Sequence, residues 1–447
     1  MYDLLDDAVQ RARRYLTDIR TRAVAPATSA VEGLAALAEP LPAAASDPHE
    51  TLALLDRIVS PATMAMAGPR FFGFVIGGSL PVTLAANWLA GAWDQNAGFY
   101  RSTPGVSALE QVAAGWLIDL FELPRGTAVG FVTGATTANF TALAAARHAV
   151  LARAGWNVEA DGLFGAPPIT VVTGAEAHPS LLKSLGMLGL GRSRLTRVAV
   201  DGQGRMRADR LPAIAGPTIV CAQAGNVNTG AFDPFPEIIA WAHASGAWVH
   251  VDGAFGLWAK ASPELRPLTA GLERVDSSAT DAHKWLNVPY DSGLAFVRDA
   301  HALSAAMAVT AEYLPTDTPE RNPCDYTPEL SRRARGVEVW AALRTLGRTG
   351  LAELFEKNCR QARRFARGFE AAGHEVLNEV VLNQVLVAFG DDARTRRVIE
   401  AIQEEGTAWC GVTVWQGRTA MRISVSSWAT TDEDVERALD AMLSVAR

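Results

Sequence analysis

The sequence predicts an α/β fold built on a mostly parallel, buried sheet, with a smaller α+β module at its C-terminal end. Three observations carry this. Short apolar, β-branched runs recur at 169–173, 196–200, 218–222, 248–251 and 293–297. Helical patterns separate several of them, as at 180–190 and 236–244, and continuous apolar strands alternating with helices mark a sheet covered on both faces. Past residue 330 the order changes to helix, strand, helix, two strands and helix, at 356–372, 383–389, 395–405, 408–415, 420–425 and 432–445.

The elements before the sheet follow the same logic. Residues 1–60 are amphipathic and helical, broken by an Ala/Pro-rich stretch near 23–48, and hold too little core to stand alone. They are expected to pack on another surface, such as a partner subunit. Helical spacing appears at 107–121, and a long Ala-rich helix at 136–154 opens on Gly134-Ala135-Thr136-Thr137. A Pro-, Thr- and Asp-rich stretch at 312–329 has the composition of a loop, and a helix follows over 331–346. The expected division is therefore 1–60, a large domain over 61–330, and a small domain with its connecting helix over 331–447.

Bulk properties narrow the function. A chain of 447 residues suggests more than one structural unit. A net charge of -7 argues against a nucleic-acid partner. No apolar run is long enough to span a membrane, and the acidic start Met1-Tyr2-Asp3 lacks the basic and apolar regions of a signal peptide. The four cysteines are widely spaced without a CxxC pair, which suits reduced thiols in a cytoplasmic protein. Only four of the 41 basic residues are lysines: Lys183, Lys260, Lys284 and Lys357. Base composition accounts for the bias as a whole. Arginine nevertheless cannot replace lysine where an amine must lose a proton and attack a carbonyl.

Four segments carry chemistry. Ser278-Ala-Thr-Asp281-Ala-His283-Lys284-Trp285 lies between two apolar strands, where burial would favour the neutral, nucleophilic amine of Lys284. The bland alternative is a lysine that snorkels to the surface. His250-Val251-Asp252-Gly253-Ala254 ends a buried strand with an aspartate, which needs a cationic partner. A pyridinium nitrogen would supply one, whereas a turn or cap aspartate would look the same in isolation. Val132-Thr133-Gly134-Ala135-Thr136-Thr137-Ala138-Asn139 leads small residues into a helix, whose free N–H groups suit a phosphate; an ordinary N-cap has the same pattern. It is neither GxGxxG nor GxxxxGK[ST], so dinucleotide and nucleoside-triphosphate sites lose ground. His178, at the strand-to-helix turn Ala175-Glu176-Ala177-His178-Pro179, either caps the helix or stacks on a ring.

Taken in order, these residues resemble the pyridoxal-5′-phosphate (PLP)-dependent group II decarboxylases, which include the aromatic-amino-acid, histidine and glutamate decarboxylases. The resemblance runs from about Pro69 to Leu346. It implies the aspartate-aminotransferase fold, fold type I, with a mostly parallel seven-stranded sheet in the large domain and a homodimer whose subunits share their active sites. It implies PLP as the cofactor and Lys284 as its Schiff-base lysine. Asp252 becomes the pyridinium partner and His178 the ring-stacking histidine. Ala135 and Thr136 would meet the phosphate, with Ala254, Asn226 and His283 also against the cofactor. Asp281-Ala-His283-Lys284-Trp285 matches the family's [NS]-x-H-K-W signature from the histidine onward, and Asp281 stands where Asn or Ser is usual.

In the family a tyrosine on a mobile loop from the neighbouring subunit returns a proton to the carbon that carbon dioxide has left. Tyr313 stands at the matching place, with Tyr326 as the second candidate. A Phe at position 313 would have suggested the oxidative, aldehyde-forming branch. Pro69-Arg70-Phe71-Phe72-Gly73-Phe74 resembles the segment at the substrate entrance, so Phe72 and Phe74 are expected to line it. With Trp88, Trp93, Phe99 and Tyr100 they hint at an aromatic amino acid, although the same residues suit a dimer core. Asn226 stands where the family has Thr, and Thr137 where it has Glu. Met421-Arg422-Ile423-Ser424 resembles the strand arginine with which aminotransferases bind a substrate carboxylate, a role suited to a guanidinium fork. Arg422 and Asn226 keep open an aminotransferase or a carbon–carbon or carbon–sulfur lyase on the same fold; a non-catalytic PLP-fold regulator is a further alternative.

Overall fold

A computed structural model of the chain describes residues 2–309 and 319–447. By contacts it divides into two compact units, one comprising Met1–Ile76, Arg364–Leu377 and Val385–Arg447, the other Gly77–Arg363 and Asn378–Gln384.

The second unit holds a seven-stranded sheet: β1 (Ala128–Val132), β2 (Thr170–Gly174), β3 (Thr196–Val198), β4 (Thr218–Gln223), β5 (Trp248–Asp252), β6 (Ser277–Asp281) and β7 (Gly293–Val297). Their spatial order is β1-β7-β6-β5-β4-β2-β3. All pairs are parallel except the two made by β7, which is antiparallel to both β1 and β6. The arrangement is the mostly parallel sheet that the sequence predicts. In ladder register, Gly293 at the start of β7 sits opposite Val132 on one side and Asp281 on the other. The ends of β1 and β6 therefore meet at one residue. A side chain there has no room: a Cβ on Gly293 would stand 2.4 Å from Gly134 Cα.

β1, β5, β6 and β7 are buried along their whole length, as strands covered on both faces must be. One cover is the helix Ala135–Arg153. Its alanines 142, 144, 145 and 146 are at most 2% exposed, and small side chains let the helix lie close to the strands. The sequence expected this helix within one residue at each end.

The first unit contains a four-stranded sheet in the order β10-β11-β9-β8, made of β8 (Glu375–Val376), β9 (Gln384–Ala388), β10 (Gly411–Trp415) and β11 (Arg418–Ser424). Helices Asp392–Glu405 and Asp432–Ala446 belong to it. The N-terminal segment packs on this module of its own chain. Val24 N–H donates to Gly406 O at 2.8 Å, and buried Arg70 reaches Asp434 Oδ1 at 3.0 Å, Thr407 O at 2.8 Å and Arg20 O at 2.8 Å. The helices expected at 331–346 and 356–372 are found within Gly336–Ala371 as two helices that meet at Gly347, whose non-helical φ of 58° is open to glycine without strain.

Among the described residues no helix is long and apolar enough to cross a membrane, and no group of His, Cys, Asp and Glu side chains could hold a metal ion. The four cysteines are buried and unpaired in disulfides.

Candidate active site

Parallel strands deliver their C-terminal ends to one edge of the sheet, where open α/β folds bind ligands. β5 ends there in Asp252 and β6 in Asp281, and the turn after β6 carries His283 and Lys284. The turn after β1 opens the helix that starts at Ala135, and the turn after β2 carries His178.

Asp252 is buried, and its Oδ1 accepts the Ala254 N–H at 3.2 Å. Its buried Oδ2 makes no hydrogen bond of good geometry, although the Asn139 side chain, whose Nδ2 is likewise unpartnered, lies close enough to favour the carboxylate. Burial pushes the Asp252 carboxyl up, and its interactions with His178 and Lys284 oppose that rise. All three groups are therefore within electrostatic reach of one another. The Lys284 side chain is 18% exposed and its Nζ lies 2.8 Å from Asp281 Oδ2. Asp281 Oδ1 in turn accepts the Ala135 N–H at 2.5 Å and lies 3.4 Å from His283 Nε2.

His283 is locked from two sides. Its Nδ1 accepts the Ser292 N–H at 3.1 Å, and the Tyr290 ring stacks on it at a centroid distance of 4.0 Å. Burial lowers its pKa. His178 caps the helix Pro179–Met187: its Nδ1 accepts the Ser180 N–H at 3.2 Å and meets Ser180 Oγ at 2.7 Å. An Nδ1 that accepts places the proton of the neutral ring on Nε2. The cap and the proximity to Asp252 are thus compatible uses of one imidazole. Thr136 O accepts the Ser184 hydroxyl at 2.8 Å, which ties the phosphate-type turn to the helix that His178 starts.

Asn226 is occupied within its own turn. Its Oδ1 accepts Asn228 N–H at 2.8 Å and Thr229 N–H at 3.2 Å, and its Nδ2 donates to Glu176 at 3.3 Å. Phe72, Phe74 and Arg422 belong to the other unit. Phe72 is 1% exposed, edge-on to Phe365 at 5.1 Å, whereas Phe74 is 55% exposed beside Trp409 at 5.4 Å. Arg422 lies on β11, and burial lowers its pKa. Tyr313 lies outside the described residues. Tyr326, the second candidate, has the Arg321 guanidinium 4.2 Å above its ring.

Sequence reasoning missed a buried network behind Asp252. His250 Nδ1 meets Ser277 Oγ at 2.9 Å, and His250 Nε2 meets Asn139 Oδ1 at 2.8 Å. The alternation of β5 gave the available signal, since residues two apart on a strand share a face and His250 precedes Asp252 by two. Tyr290 carried no signal, because its stacking partner is set by the turn after Lys284.

A buried carboxylate oxygen without a donor is costly unless a ligand supplies one. Asp252 could meet the protonated ring nitrogen of PLP, Lys284 its aldehyde, and the helix start at Ala135 its phosphate. Such a fold and such donors define a PLP-dependent enzyme of fold type I. The chain belongs to the pyridoxal-dependent decarboxylase family, whose conserved domain matches residues 35–390. It is a carboxy-lyase acting on L-amino acids, with PLP as its cofactor. Among similar proteins, tryptophan decarboxylase 1 of Oryza sativa subsp. japonica is 29% identical over 430 residues, covering 87% of this chain and 82% of the relative. L-2,4-diaminobutyrate decarboxylase of Rhizobium meliloti (strain 1021) is 29% identical over 432 residues, covering 92% and 84%. The crystal structure of Oryza sativa TDC with PLP and tryptamine shares the fold, with a TM-score of 0.91 at 24% identity over 100% of this chain and 97% of that one.

Proposed function

We propose that the chain decarboxylates an aromatic L-amino acid and that Lys284, Asp252 and His178 form the core of its site. The observation that carries the site is the buried Asp252 carboxylate, whose Oδ2 makes no well-formed hydrogen bond, within electrostatic reach of Lys284 and His178. Bound there, PLP supplies an electron sink for the bond to the departing carboxylate.

The chain's own residues do the rest. Lys284 supplies the amine that anchors the cofactor and later releases the product. Asp252 holds a proton at the ring nitrogen, and its burial makes that ion pair strong. The His178 ring, fixed by its cap, would stack on the cofactor ring and orient the substrate bound to it. The backbone at Ala135 and Thr136, with His283, Ala254 and Asn226, would hold the cofactor's phosphate and ring. Tyr313, from the partner subunit of a cytoplasmic homodimer, delivers the proton to the substrate carbon. Phe72 and Phe74 line the entrance, and Arg422 meets the substrate carboxylate. The aromatic class is supported by the rice tryptophan decarboxylase relative; the diaminobutyrate relative is the reason to test cationic substrates beside it.

The test is a panel of L-amino acids scored by product mass for amine plus carbon dioxide against keto acid. Aromatic substrates are expected to give amine and carbon dioxide. Borohydride should fix the cofactor to the wild-type chain on the peptide that holds Lys284, and Lys284→Ala should abolish that attachment. Stoichiometric keto acid without carbon dioxide would instead favour the aminotransferase reading that Arg422 keeps in view.

A further inference from the structure

We infer that Asn139 and His250 are positioning residues for the reaction: His250, held in one tautomer, turns the Asn139 amide so that its NH2 group serves the Asp252 carboxylate and steadies it against the cofactor's ring nitrogen. This rests on the site proposed above, and it gives a task to two buried side chains that the resemblance leaves without one.

A chain of polar side chains lies behind Asp252, and its two ends fix its direction. Trp248 Nε1 donates to Ser277 Oγ at 2.8 Å, and an indole N–H can only donate. Ser277 stands opposite His250 in ladder register, with its Oγ 2.9 Å from His250 Nδ1, so the hydroxyl has its own proton to give to that nitrogen. An Nδ1 that accepts leaves the proton of the neutral ring on Nε2. Burial pushes His250 from 6.5 down to about 3, which keeps the ring neutral near pH 7. Nε2 then donates to Asn139 Oδ1 at 2.8 Å. An amide whose oxygen is claimed by His250 presents its NH2 group on the other side. That nitrogen is buried without a hydrogen bond of good geometry and lies close enough to Asp252 to favour the charged carboxylate. An ionised carboxylate can only accept, so each hydrogen in the chain points from Trp248 toward Asp252.

The opposite amide orientation fails on the same geometry. A flipped Asn139 would turn its carbonyl on a buried anion, and His250 Nε2 would have to accept, which moves the ring proton to Nδ1. The chain is also sealed: Trp248, His250 and Asn139 are at most 1% exposed and Ser277 is 2% exposed. A member left unpaired there is costly, so the orientation is held firmly. Asn139 stands one turn past Ala135 on the same face of the helix Ala135–Arg153. One helix therefore carries both the N–H group suited to the phosphate and the amide that serves the ring's carboxylate partner.

The experiment uses holoenzyme loaded with PLP that carries nitrogen-15 at the ring nitrogen, with borohydride-fixed mass on Lys284 as the loading control. The NMR signal of that nitrogen reports its protonation, which a merely structural defect leaves unchanged in the molecules that load. Asn139→Leu and His250→Leu should move the signal from the pyridinium toward the neutral range. They should also lower kcat about 10- to 100-fold, as expected for one lost hydrogen bond to a charged group, with KM changed far less. Asn139→Ala removes the amide without adding bulk and should do the same, so the test stands even if the leucine variant does not fold. His250→Gln, whose amide can still donate to Asn139 Oδ1, should recover most of the loss. His250→Leu added to Asn139→Leu should lower kcat no further, because the relay runs through Asn139. A pyridinium signal with wild-type kcat in Asn139→Ala and His250→Leu, and only the unfolding midpoint lowered, overturns the positioning role; so do additive losses in the double variant. If borohydride fixes nothing on Lys284 in the wild type, the site itself falls. If it fixes cofactor there in every variant and the nitrogen signal never moves, only the role of Asn139 and His250 falls.

Discussion

At the scale of single residues, the chemistry of the site comes from charges that burial leaves unbalanced. Asp252 carries a buried oxygen with no well-formed hydrogen bond, and Lys284 has a carboxylate partner in Asp281. Replacing Asp252 by Asn should leave the cofactor attachable to Lys284 while turnover falls by about 10²- to 10⁴-fold, the range typical of a positioned proton-holding group. Steady-state kinetics with the borohydride-fixed mass as a loading control checks this; full turnover in Asp252→Asn would remove the residue from the mechanism. Asp252 stood out in the sequence because it ends the apolar strand β5, and Lys284 because the chain has only four lysines. The pairing of Asp281 with Ala135 was not legible, because it joins residues 146 positions apart in sequence, and its pairing with Lys284, three positions on, depends on how the turn after β6 folds. Its departure from the family pattern was visible, but its consequence was not.

Among the elements, β6 is the instructive case. Ser277-Ser-Ala-Thr-Asp281 has no apolar run, so the sequence showed only strands on either side of it. All five residues are nevertheless buried, because the strand satisfies its hydroxyls internally. Ser277 Oγ accepts from Trp248 Nε1 at 2.8 Å and meets His250 Nδ1, while the Thr280 hydroxyl donates to Ala254 O at 3.3 Å. β1 was hidden for a different reason. It is five residues with a glycine in the middle, and a Cβ on Gly130 would stand 2.3 Å from Tyr326 O. The sheet's longer apolar strands and the Ala-rich helix were legible from their pattern alone. The polar lining between β5 and β6 also has a pH signature. Burial pushes His250 down from 6.5 to about 3, so the folded chain keeps it neutral where the unfolded chain takes up a proton. Its contribution to stability is complete above about pH 6.5 and is lost as the pH falls toward 3, at about 1.4 kcal/mol per pH unit. Denaturant unfolding of His250→Gln and wild type between pH 7 and pH 4 (roughly that window) should therefore show a shallower acid slope in the variant; parallel slopes would contradict the assignment.

For the molecule as a whole, the division into two units was only partly legible. The C-terminal α+β pattern announced itself, but the attachment of residues 1–76 to it depends on contacts such as Arg70 with Asp434, 364 positions apart. No local pattern carries such a pairing. Cofactor binding adds a global term. A ligand that binds only the folded chain should stabilise it by about 2.7 kcal/mol at a hundredfold excess over its Kd. Equilibrium unfolding with and without PLP measures this.

The glycine at the head of β7 has a consequence for anyone who would rebuild this protein. Because position 293 braces the ends of two neighbouring strands and admits no side chain, the anion-facing loop and the lysine-bearing loop form one mechanical joint. Grafting either loop from a relative without the other would shift both, so the pair has to be transplanted as a single cassette.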